Sequence, residues 1–165
     1  MLTQRVSLCG AIVALVSPCL GADNVFREIA PDVAVAKPEF VEKMKEYLLH
    51  AERAWSPSDK QVFAALSLLR SERGKQAVVK KAGPEMRIEK SLHRLDKSRY
   101  QVFGVVVKGR RHLFIDATPL DSDAPEWWLT DCISRNVFDG GAAYWWVLIG
   151  VEPLQVVDCN RRPDI

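Results

Sequence analysis

The apolar positions of this chain keep three different periods. Val6 to Val16 is an uncharged apolar run with Ser7 as its one hydroxyl residue. From Pro38 the apolar residues Phe40, Met44, Tyr47, Leu48 and Ala51 recur in steps of three and four, with Glu39, Glu42, Lys43, Lys45 and Glu46 between them. That spacing predicts an amphipathic helix ending near Trp55. A second helix is expected at once, with Ser56 as its cap, Pro57 and Asp59 in the first turn and Gly74 as its stop. Its buried stripe is Val62, Phe63, Leu66, Leu69 and Leu68. Two helices with almost no residues between them predict a helical hairpin. Gln76 to Ala82 reads equally as a helical turn or a leading strand.

Beyond Gly83-Pro84 the period falls to two. Met86, Ile88 and Leu92 alternate with Arg87, Glu89 and Ser91, predicting a strand with one wet face. The run Tyr100 to Val107, YQVFGVVV, predicts a central strand covered on both faces. Lys108-Gly109 then makes a hairpin turn into residues 111–117, with Leu113, Ile115 and Ala117 on one face and His112, Phe114 and Asp116 on the other. Glu126 to Cys132 reads as a short helical turn, Ala143 to Ile149 as a strand and Leu154 to Val157 as the last strand. Helices followed by strands predict an α+β fold, an N-terminal helical hairpin packed on an antiparallel sheet of four to five meandering strands. Residues 23–37, with a proline and no sustained period, read as an extended arm before a single domain over 38–165.

The N-terminal apolar run changes the picture of where this domain works. One cation, Arg5, precedes it; Ser17-Pro18 and the small residues Gly21 and Ala22 follow. Residues 1–22 therefore read as a secretory signal peptide cut after Gly21 or Ala22. The run falls well short of the roughly 20 apolar residues a membrane span needs, so the mature chain is expected to carry no transmembrane segment. Val16-Ser17-Pro18-Cys19 loosely resembles a lipidation box, although Pro18 is atypical there. The expected location is periplasmic or secreted.

The formal charge of +2, reduced to +1 by loss of Arg5, gives no concentrated basic face for nucleic acid. Export also makes Cys132 and Cys159, the two cysteines outside the leader, an expected disulfide. In the loop-entropy description a link of that span is worth roughly 3.5 kcal/mol. His50, His93 and His112 have no ligand-like partner at short spacing, so no metal site and no cofactor are expected.

The candidate chemistry gathers in the second half. Asp139-Gly140-Gly141 suits a tight turn before Tyr144, Trp145 and Trp146. Adjacent residues of a strand point to opposite faces, so one of Trp145 and Trp146 enters the core and the other meets water, a loop or a ligand. With Trp127, Trp128 and Tyr144 the outward ring would make an aromatic surface for a protein, peptide or glycan partner. Burial of both rings, one beneath the 127–128 segment, is the structural alternative. A hydrolase would recruit His112 with Asp116 or Asp139. His112 and Asp116, however, lie about 13 Å apart along one strand face, and the chain has no nucleophile elbow, zinc helix or phosphate-cradling loop. The sequence thus predicts an exported binding or inhibitor-like module; a small envelope hydrolase and a purely structural envelope protein are the alternatives.

Overall fold

A computed structural model describes residues 24–83, 92–120, 126–131 and 145–161. The expected leader, the strand expected from Met86 up to Leu92, and Cys132, Asp139 and Tyr144 lie outside these residues. Among the described residues the fold is α+β, with three helices and a seven-stranded, mostly antiparallel sheet.

The first difference from the sequence reading is at the N-terminus. The expected arm forms a hairpin of β1 (Phe26–Ala30) and β2 (Val33–Ala36), and β2 runs parallel to β4 (Ser98–Val107) through Val33↔Tyr100 and Val35↔Val102. All four residues of β2 are buried. A strand covered on both faces shows no apolar alternation, which is why this one escaped a period-based reading.

The helical hairpin expected from the first two helices is absent. Helix α1 spans only Pro38–Met44, and the chain then passes through turns in which Leu49 (φ 61°) and His50 (φ 51°) adopt left-handed backbone. The two-residue strand β3 (Arg53–Ala54) next pairs with β4, on the same edge that β2 occupies further along. Glu42 on α1 accepts the Ala54 N–H at 2.5 Å, and the Trp55 N–H donates to Gly104 O at 3.0 Å. Gly104 makes this crossing possible, since a Cβ there would lie 2.1 Å from Trp55 O. Its place inside YQVFGVVV is set by a passing backbone, a demand no local pattern encodes. The chain thereby carries α1 and α2 to opposite faces of the sheet.

Helix α2 (Asp59–Arg70) starts two residues later than expected. Ser58 Oγ accepts the Gln61 N–H and Gln61 Oε1 accepts the Ser58 N–H, a reciprocal capping box. Ser71 ends α2 and starts α3 (Glu72–Ala82): its hydroxyl donates to Leu68 O at 2.6 Å and accepts the Gly74 N–H at 3.0 Å. Gly74 is therefore no stop. It sits in the first turn of α3, where a Cβ would come 1.8 Å from Leu68 O.

The sheet order is β1-β2-β4-β5-β6-β7. Strand β4 turns at Lys108-Gly109 into β5 (Arg110–Pro119), both turn residues having positive φ, and Glu52 accepts the Gly109 N–H. Strands β6 (Trp145–Val151) and β7 (Leu154–Arg161) complete the antiparallel side. One core lies between the sheet and α2–α3, built from Val62, Leu66, Leu69, Val102, Ile115 and Trp145 among others. A second lies on the other face, where Phe40, Val41 and Met44 of α1 and Trp128 cover Phe103, Phe114 and Leu148.

Candidate functional site

Strand alternation decides the orientation of the tryptophan pair. Trp145 points to the α2–α3 face and is 1% exposed. Trp146 points to the opposite face, is half-buried, and stacks on Phe114 at 5.2 Å between ring centroids and 27° between planes. Phe114 in turn packs edge-on against Phe103 (5.8 Å) and Phe103 against Phe26 (5.5 Å). Trp146 is thus the solvent end of an aromatic ladder whose four rings come from four strands, β6, β5, β4 and β1, and the rings behind it fix its plane.

The residues beside it follow from register. Gln101 on β4 pairs with Asp116 on β5, Asp116 with Trp146 on β6, and Trp146 with Asn160 on β7. Directly opposed residues share a face, so these four side chains form one row across the sheet. The row grades from closed to open: Gln101 and Asp116 are fully buried, Trp146 is half-buried and Asn160 is exposed. Next along β7, Asp158 is also exposed, with Oδ1 accepting the Cys159 N–H at 2.9 Å.

The closed end is roofed by the 3-10 turn Glu126–Leu129. Gln101 holds it, its Nε2 donating to Trp128 O and Asp131 O at 2.9 Å each. Trp128 is 4% exposed and belongs to the core beneath the turn. The chain matches no family model, no curated protein and no solved structure.

Of the aromatic surface expected from sequence, Trp128 and Trp145 are interior residues, and among the side chains described Trp146 is the ring that reaches solvent. Trp127 lies in the 3-10 turn; Tyr144 and Asp139 fall outside the described residues. The structure adds Gln101, Phe114, Asp158 and Asn160, which sequence reasoning passed over. Gln101 left a trace as a polar residue inside an apolar run, and Phe114 as a neighbour of His112 and Asp116 on one strand face. The pairing that aligns Gln101 with Trp146 is non-local.

His112 and Asp116 share a face, as alternation required, but Phe114 stands between them. His112 Nδ1 lies 2.8 Å from Arg110 O, so that nitrogen carries the proton and bonds its own strand. The pair is no acid–base dyad. Among the described residues no three His, Cys, Asp or Glu gather as metal ligands, and no helix is long and apolar enough to cross a membrane.

Cys159 is a free, buried thiol in this structure, and its expected disulfide partner Cys132 lies outside the described residues. Its Sγ lies 3.4 Å from Val78 O on the α2–α3 face, and burial, then the charge of Asp158, pushes its pKa up to about 11. Asp131, the residue before Cys132, has its carbonyl bonded to Gln101 on the other face, three strands away in the sheet order.

Proposed function

We propose that the protein is an exported binding module, periplasmic or secreted once residues 1–22 are removed, that meets its partner on the sheet face where Trp146 emerges. The observation that carries the reading is the division of labour between neighbouring indoles: Trp145 fills the interior, while Trp146 stands half-open beside exposed Asn160 and Asp158. A partly exposed tryptophan brings a large contact area with few torsions to immobilise, the property that makes this residue recur at the centre of binding surfaces. Its fixing by Phe114 adds to that, because a ring already held in place loses little freedom on contact.

The test is partner capture from the compartment in which the protein resides, with purified mature protein as bait and Trp146→Ala beside it. The reading predicts a partner retained by the parent and by a surface control, Phe63→Ala on α2, and lost by Trp146→Ala while its melting curve stays cooperative. Phe63 suits that control because it is 45% exposed, outside the buried stripe of Val62, Leu66 and Leu69 in which the sequence pattern placed it. Equal retention by all three baits would remove Trp146 from the contact.

A further inference from the structure

We propose that the ligand class of this surface is a neutral sugar, stacked on Trp146 and hydrogen-bonded by Asn160 and Asp158; this rests on the reading of Trp146 as the contact residue. Pyranose rings carry an apolar patch of C–H bonds on one face and hydroxyls round the rim that both donate and accept. A complementary surface therefore needs a flat aromatic ring with mixed donors and acceptors at its edge.

The β6–β7 register supplies that arrangement. Asn160 sits directly across from Trp146, and Asp158 lies two residues along the same face, opposite Leu148. Cross-strand neighbours have Cβ atoms roughly 5 Å apart, and alternate residues of a strand roughly 7 Å. The indole, the amide and the carboxylate thus lie within the span of one hexose. Among the described residues the Asn160 amide has no partner of its own, leaving both its donor and its acceptor for a ligand. Asp158 uses Oδ1 on the Cys159 N–H, which aims the carboxylate and leaves Oδ2 for a hydroxyl. A negative charge beside the ring disfavours an anionic sugar, which is why the neutral class is chosen.

The experiment is an indole 1H–15N NMR titration of the mature protein with neutral oligosaccharides of β-1,4-linked glucose, of N-acetylglucosamine and of galactose, with an oligogalacturonate as the anionic comparison. At least one neutral sugar should move the Trp146 indole resonance while leaving Trp145 in place. With affinity read by isothermal titration calorimetry, which does not depend on the indole reporter, Trp146→Ala should abolish binding, Trp146→Phe should keep part of it, and Asn160→Ala should weaken it roughly three- to tenfold, the value of one hydrogen bond. The anionic oligomer should bind more weakly than its neutral counterpart. No Trp146 shift with any neutral sugar overturns the sugar assignment. Should partner capture still depend on Trp146 in that case, the contact surface stands and only its ligand class is wrong. Binding that survives Trp146→Ala overturns the assignment of the site as well.

Discussion

Replacing each of the adjacent tryptophans by alanine perturbs two faces of one strand, and the structure separates their effects. Trp145 is 1% exposed among Val102, Ile115 and Val147, so its removal empties a large volume between the sheet and α2–α3. Buried aromatic-to-alanine changes of this kind cost about 3–5 kcal/mol. Trp146 loses one stacked contact with Phe114 and part of its apolar area, about 1–2 kcal/mol together. For a domain of this size, total stability falls in the range of about 5–15 kcal/mol, so the first change removes a large fraction of it and the second a small one. At about 4 °C per kcal/mol the melting temperature should drop by about 12–20 °C for Trp145→Ala and about 4–8 °C for Trp146→Ala. Urea unfolding followed by far-UV circular dichroism, with the slope m compared across variants, measures both. Losses equal within about 0.5 kcal/mol, at unchanged m, would refute the assignment of one ring to the core and one to the surface.

Four further substitutions reach the scaffold. Gly104→Ala forces a methyl to within 2.1 Å of Trp55 O and should cost about 3 kcal/mol or more by displacing the crossing segment, whereas Gly109→Ala, which meets no atom, should cost about 1 kcal/mol through its φ of +70° alone; chemical denaturation compares them. Gln101→Met removes the Nε2 hydrogen bonds to Trp128 O and Asp131 O and should lower stability by about 1–2 kcal/mol, with faster amide exchange in residues 126–131 as its local signature. At alkaline pH the raised pKa of Cys159, about 11 against 9.0, gives stability that is present in full below 9 and is lost as pH rises towards 11; Cys159→Ala should flatten that limb. The native thiol should likewise resist alkylation at pH 8 and become labelled only on unfolding, with no mass change on reduction beforehand; a two-proton gain in mass on reduction would establish the disulfide instead.

The elements legible in the sequence were those whose cause is local. The two-sided burial of β4, the Lys108-Gly109 turn, the helical turn at 126 and the opposite orientation of Trp145 and Trp146 follow from period and turn chemistry, and the structure has them. The failures share a different cause. The β1–β2 hairpin, the shortness of α1 and the role of Gly104 depend on β2 and β3 dividing one edge of β4, contacts that join residues more than 50 apart in sequence. Gly74 was read as a helix end because glycine commonly has that role; here it permits the close approach of two helix ends. At the site, Trp146 was legible as half of an alternating pair. Its partners Asn160 and Gln101 were not, because register across four strands is a property of the assembled sheet.

The central claim is that Trp146, and not Trp145, presents its ring to solvent. Fluorine NMR of the 5-fluorotryptophan-labelled protein, with resonances assigned by single Trp→Phe changes, tests it through the chemical-shift difference between H2O and D2O. The account predicts a clear solvent isotope shift for residue 146 and almost none for residue 145. A resonance from residue 146 as indifferent to the solvent as that from residue 145 would contradict it.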